Sequence, residues 1–403
     1  MGGRRARWWY VGIVLGLFAA ACSSGDDDAA EGTDDDASAE QEAAEGFPID
    51  EWAVDDPADH GMDPATLEEA RTYAFAEENN TQSVVVVRDG AIVAEWYADG
   101  ADEESWTASW SMAKSVTSAL IGVAIEDGLI PGVDEPMTTW FPEWGEDPAD
   151  PRADITLEHV LHMSSGLDWD EIYEEGDIAA SEVATMVTSQ ADQLAYAASR
   201  PAENEPGTVW SYSSGDTMLL SAVIEQATGM PAHEYAQQEL FDPIGMAQVD
   251  WWRDAEGHTL TYCCLDTTSR DFARFGLLYL NEGRWGNEQV VPDSWVADSV
   301  VPTPPSDGEY GYQWWLRDLE GIPADLFNAS GHDGQWIFVI PSLDLVVVRN
   351  GTYVKDPGEA VADPTLFEHY PSGGLVPDRG TTPPPEAWDN ADFLAPIVAS
   401  ITD

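Results

Sequence analysis

Ser111 and Lys114 stand three residues apart in Trp110-Ser111-Met112-Ala113-Lys114-Ser115, and this pair could make a nucleophile. A serine hydroxyl attacks carbonyls poorly at neutral pH unless a base takes its proton. Lysine can be that base when burial lowers its pKa. The chain has only two lysines, Lys114 and Lys355, so a lysine at this spacing is not a frequent accident. Two further segments could contribute. In Trp210-Ser211-Tyr212-Ser213-Ser214-Gly215-Asp216, Tyr212 is a candidate second base, since a phenolate beside an ammonium has a lowered pKa. A core tyrosine packed by Trp210 is the alternative. In Ser330-Gly331-His332-Asp333-Gly334-Gln335, the glycines let a backbone approach a substrate closely, and a strand-edge N–H could hold an oxyanion. The alternative there is a loop that closes a hairpin.

The elements that would position these groups follow from the pattern of apolar residues. Ser83 to Val87, then Arg88-Asp89-Gly90, then Ala91 to Tyr97, reads as strand, tight turn and strand. Val116, Ala119, Leu120, Val123 and Ala124 recur at helical spacing after Ser111 until Gly128, so Ser111 opens a helix with Lys114 one turn on. Helices are also expected from Ala65 to Glu77, over Ile155 to Leu161 with Thr156 as cap, from Asp216 to Ala227, and from Ser269 to Leu280. Strands return at Tyr310 to Leu316, Gln335 to Ile340 and Leu343 to Arg349, with Pro341-Ser342 as a hairpin signal. Strands at both ends with helices between give an α+β fold: one sheet closed from two ends, with a helical lobe inserted.

The charge is −60, from 16 basic and 76 acidic residues among 403. Repulsion excludes nucleic acid as a partner. Arg4, Arg5 and Arg7 precede an apolar run from Trp8 to Ala21, the pattern of an export signal. The run is shorter than the ~20 residues a span prefers. Residues 22–47 are acidic and poor in apolar side chains, a disordered tether, and 48–403 form the globular domain. Cys263 and Cys264 are adjacent. Two small apolar side chains in a core are expected, with a vicinal disulfide as the alternative. His159 and His162 have no third ligand in view, so packing or surface roles are expected and no metal.

Taken together, S-x-x-K, Y-x-S about a hundred residues on, and H-x-G before a terminal strand pair resemble the serine β-lactamase and penicillin-recognising superfamily. The flanks Leu161 to Leu167 and Thr268 to Gly276 look most like its class C-type serine hydrolase branch, with esterases and 6-aminohexanoate-dimer hydrolase relatives. The resemblance implies a β-lactamase/transpeptidase-like fold, an antiparallel sheet flanked by helices with an inserted all-helical lobe. It implies Ser111 as nucleophile, with Lys114 and Tyr212 moving protons. The oxyanion hole would be the backbone N–H groups of Ser111 and Gln335. Ser214, His332, Asp333 and Gly334 fall at substrate-binding positions, and Tyr173 or Trp169 would line the cleft. The acids Asp170, Glu174 and Glu175 read as a solvated loop. No cofactor is implied. No E-x-x-L-N stretch exists, so glutamate-driven deacylation of the class A kind is not expected.

Leu17-Phe18-Ala19-Ala20-Ala21-Cys22 resembles a bacterial lipobox. That implies cleavage after residue 21, a lipid on Cys22, and a protein anchored to the outer face of a membrane. Where lactamases carry a lysine this chain has His332, a poor holder of carboxylates when neutral. With the acidic surface, this points to neutral or amine-bearing esters and amides. The expected function is hydrolysis of a small ester, amide or peptide through an acyl-enzyme. β-Lactamase action, D-Ala-D-Ala peptidase action and a non-catalytic sensor are the alternatives.

Overall fold

The computed structural model of the protein describes residues 47–48, 51–172, 181–351, 364–369 and 388–402. The signal segment, most of the tether and Tyr173 lie outside them. In the first hairpin, β1 (Thr81–Arg88) and β2 (Ala91–Tyr97) turn at Asp89 and Gly90, both at positive φ (49° and 76°). That backbone suits a two-residue hairpin turn. Later strands are β3 (Trp106–Ala108), β4 (Asp250–Trp251), β5 (Leu265–Thr268), β6 (Phe327–Gly331), β7 (Gln335–Ile340) and β8 (Leu345–Gly351). The main sheet runs β2-β1-β8-β7-β6 with antiparallel neighbours. A smaller sheet runs β3-β5-β4.

Both faces of the main sheet are covered, which explains unbroken apolar strands. Val85, Val87, Ile337 and Val346 face one core, while Val84, Val86, Phe338 and Val347 face the other. The second core is closed by α1 (Pro64–Ala74), through Leu67, Ala70 and Ala74, and by the C-terminal helix Asn390–Ala399, through Phe393, Leu394 and Ile397. In the first core lie α2 (Ala113–Glu126), α3 (Leu157–Leu161), α4 (Ser214–Thr228) and α5 (Ser269–Leu280). Residues 113–124 of α2 are all buried, the polar Lys114, Ser115, Thr117 and Ser118 among them. α5 lies close on the sheet because of Gly276, where an added Cβ would come within 2.6 Å of Val346 and 2.8 Å of Ile337.

The expected caps form. Thr156 and His159 make a capping box at α3, which uses His159 Nδ1. The His162 ring packs 4.5 Å from Tyr312. Tyr310 to Leu316 is not a strand. The segment loops, touching β6 through the Trp315–Asn328 bridge, with Gln313 at φ 63°. The Gln313 side chain explains the departure: it accepts from Thr217 on α4 and donates to the Val160 and Leu161 carbonyls of α3. Within the segment, Trp315 exchanges both backbone hydrogen bonds with Asn328 of β6. Cys263 and Cys264 are joined by a disulfide, against the expectation of two free core thiols. The buried chain at 261–265 brings the two sulfurs into contact, with Cys264 at φ 64°.

Candidate active site

Ser111 lies in a single 3-10 turn, Trp110–Met112, that runs into α2. Trp110 ahead of it adopts φ 44°, an uncommon conformation for a bulky residue. The turn is fastened on both sides of Ser109, whose N–H donates to the Leu265 carbonyl (2.9 Å) and whose Oγ accepts from Leu265 N–H (3.0 Å). Ser111 is half-buried, while Lys114 is only 1% exposed. Lys114 Nζ donates to Ser111 Oγ at 3.1 Å, to Ser214 Oγ at 3.0 Å and to the Tyr262 carbonyl at 3.0 Å. Burial holds its pKa down at about 8, with the charge of Glu171 opposing the shift.

Tyr212 precedes α4, and its ring lies 4.9 Å from Lys114 Nζ. Its hydroxyl is near enough to Ser111 for that side chain to act on its pKa. The ring is clamped by aromatics: it stacks on Trp315 at 5.4 Å and meets Tyr310 edge-on at 6.2 Å. The sequence led us to expect a lowered pKa here, and the structure reverses it. Burial pushes the phenol well up, and Glu171 adds to this, outweighing the opposing pulls of Ser111 and Arg317. Tyr212 is a neutral phenol, suited to giving a proton, while Lys114 is the group suited to taking one.

The third segment forms the turn between β6 and β7, so it does close a hairpin, and it does so beside the nucleophile. An added Cβ on Gly331 would meet Ser109 O and Trp110, and the His332 ring lies 6.1 Å from the Trp110 ring. The Gln335 side chain is locked: Oε1 accepts from Asn350 (2.9 Å) and Nε2 donates to the Gly351 carbonyl (3.0 Å). Its backbone N–H is thereby fixed at the start of β7. Beneath the turn is fully buried Arg349, donating to the Gly334 carbonyl (2.7 Å) and the Asp333 carbonyl (3.3 Å). It lies 4.4 Å from the Trp388 ring, and burial lowers its pKa to about 9.

Of the other expected contacts, Ser214 is in the site, and His332 is exposed at its rim. Asp333 is buried with Oδ1 3.3 Å from His332 Nε2, a support of the turn and not an exposed contact. Trp169 is also buried, under Gly215, where an added Cβ would come within 2.6 Å of its ring. With Leu167, Asp170, Trp210 and Ser213 it lines a pocket beside the start of α4. Among the described residues no group of three or more His, Cys, Asp or Glu could hold a metal ion.

One acidic residue passed over in the sequence belongs here. Glu171 Oε2 accepts from Ser214 N–H (2.6 Å) and Trp169 Nε1 (2.8 Å), and Oε1 accepts from Ser214 Oγ (2.7 Å). The signal was alternation: Leu167 and Trp169 are buried and Asp170 is exposed, so the next inward position in an extended segment is 171.

The β-lactamase family model matches residues 74–367, most of the chain and all three segments. The chain belongs to the β-lactamase family. Within that family it is 26% identical over 301 residues to a 6-aminohexanoate-dimer hydrolase of Paenarthrobacter ureafaciens, covering 68% of this chain and 73% of that one. Among solved structures, a D-stereospecific amidohydrolase from Streptomyces sp. superposes with TM-score 0.56 at 18% identity, over 72% of this chain and 94% of the other. An octameric penicillin-binding protein homologue from Pyrococcus abyssi gives TM-score 0.57 at 19% identity, over 72% and 73%. These two show the shared fold. This β-lactamase-family chain is an enzyme of the serine hydrolase class.

Proposed function

We propose that the protein cleaves a small ester or amide through an acyl-enzyme on Ser111. Neutral Lys114 takes the Ser111 proton as Oγ attacks the carbonyl carbon. The tetrahedral oxyanion is held by the N–H groups of Ser111 and Gln335. On collapse, Tyr212 gives its proton to the leaving oxygen or nitrogen, and the Lys114 ammonium restores it. Water then attacks the acyl carbon, releases the acid and returns the hydroxyl proton to Ser111. The observation that carries this reading is the buried Lys114 amine 3.1 Å from Ser111 Oγ. Treatment with a fluorophosphonate and mass spectrometry should label Ser111 in the native protein and leave Ser111→Ala unlabelled; no label would defeat the proposal.

A second substrate reading has its own observation. Arg317 lies 4.6 Å from the Trp315 ring, and its charge interacts with Glu309 and with Tyr212. This local positive charge favours a carboxylate-bearing substrate against the acidic surface around it. Comparing free-acid amides, their methyl esters and a chromogenic cephalosporin distinguishes it from the neutral or amine-bearing reading.

We further propose that the chain is exported and anchored by a lipid on Cys22. The lipobox-like segment supports this, and a disulfide persists more readily in an oxidising compartment. Loss of membrane fractionation in Cys22→Ala is the expected result; unchanged fractionation would count against it.

A further inference from the structure

We propose that Glu171 is a positioning residue that sets the basicity of Lys114 through the Ser214 hydroxyl, an inference that rests on the proposed role of Lys114. The hydrogen bonds have one consistent polarity. Trp169 Nε1 and Ser214 N are donors only, so Glu171 must accept from both. Ser214 Oγ then gives its single hydrogen to Glu171 Oε1 (2.7 Å), which turns its lone pairs toward Lys114 Nζ (3.0 Å). The hydroxyl is thus held as an acceptor for the ammonium. The carboxylate itself sits at the N-terminus of α4, where free N–H groups stabilise an anion, and Ser214 is that helix's first residue.

The surroundings make Glu171 the charge that matters. Lys114 faces Ser111, Ser214, the Tyr262 carbonyl and the rings of Tyr212 (4.9 Å) and Tyr262 (5.6 Å), all uncharged. Glu171 is the charged group that acts on it. Asp216, one turn into α4, feels the same negative charge, and so do the phenols of Tyr212, Tyr262 and Tyr310, each pushed upward by it. The charge of Arg317 acts on Tyr212 in the opposite sense. The Ser214 hydroxyl bridges ammonium and carboxylate at 3.0 Å and 2.7 Å, a separation at which one opposing charge moves a pKa by about one to two units. Glu171 therefore keeps a fully buried lysine basic enough to take a serine proton.

The test is the pH dependence of kcat/KM for a p-nitrophenyl ester. In Glu171→Gln the acid limb should move about one to two pH units downward, because the neutral amine persists to lower pH. Glu171→Asp keeps the charge and should leave the limb within half a unit of the native position. A reduced plateau with an unmoved limb in Glu171→Gln would overturn the inference. If Glu171→Gln does not fold, Glu171→Ala is assayed with and without added formate. A limb that returns upward with formate supports the role, and one that does not overturns it. Fluorophosphonate labelling of the native enzyme runs alongside: absent labelling defeats the hydrolase reading, while normal labelling with an unmoved limb defeats only the role of Glu171.

Discussion

Burying Lys114 has a direct kinetic consequence in the pH profile. Its Nζ touches three neutral oxygens, and its pKa falls from 10.5 to about 8. Only the free amine can accept the Ser111 proton, so activity rises as pH climbs through that value. A base with this pKa is ~10% neutral at pH 7 and ~90% neutral at pH 9, which gives a ~10-fold rise in kcat/KM that levels off. A lysine at its ordinary value would be ~0.03% neutral at pH 7, and the rate would climb ~100-fold over the same interval and keep rising. The assay is p-nitrophenyl ester hydrolysis across this range, with Ser111→Ala subtracted to remove alkaline background. A ~100-fold rise without a plateau, or a flat profile, would refute a buried amine as the base.

Other consequences concern neighbouring groups. Tyr212→Phe keeps the ring stacked on Trp315 and removes the proton donor. It should lower kcat for an amide by ~10²–10⁴-fold, and for an activated p-nitrophenyl ester far less, because that leaving group needs no proton; equal losses would contradict the assignment. Asp216 is buried with Oδ2 unpaired, and burial raises its carboxyl from 3.8 to about 7. The folded state therefore holds this proton where the unfolded chain has lost it, and stability falls as pH rises between those values, by up to about 4 kcal/mol. Asp216→Asn should raise Tm more at pH 8 than at pH 5, measured by calorimetry; an equal effect at both would refute this. Gly334 has φ 75°, and an added Cβ would run into Arg349. Gly334→Ala should cost about 2–4 kcal/mol in urea unfolding and slow acylation, since Gln335 follows directly; a neutral change would count against the packed turn.

The sequence carried the parts of this site that depend on local spacing. Lys114 reaches Ser111 because residues three apart share a helix face, and Ser269 to Leu280 forms the helix its apolar period predicts. Four strands of the main sheet, β1, β2, β7 and β8, were legible as short apolar runs with turn residues between them, whereas β6 (Phe327–Gly331) has too few apolar side chains to show such a pattern. What stayed hidden depends on residues distant along the chain. The protonation of Tyr212 follows from desolvation by Tyr310 and Trp315, about a hundred residues away. Glu171 looks like one acid among several until the alternation with Trp169 is noticed. Tyr310 to Leu316 has the pattern of a strand, but Gln313 ties it to α3 and α4 instead. Arg349 ends an apolar strand without a sign that its guanidinium props the turn carrying Gln335.

The most direct measurement is rapid-quench mass spectrometry of the enzyme mixed with a p-nitrophenyl ester. The account predicts one acyl group on the peptide containing Ser111, formed with the burst of nitrophenol and lost as turnover proceeds. Turnover with no covalent adduct on that peptide, or an adduct on another residue, would contradict it.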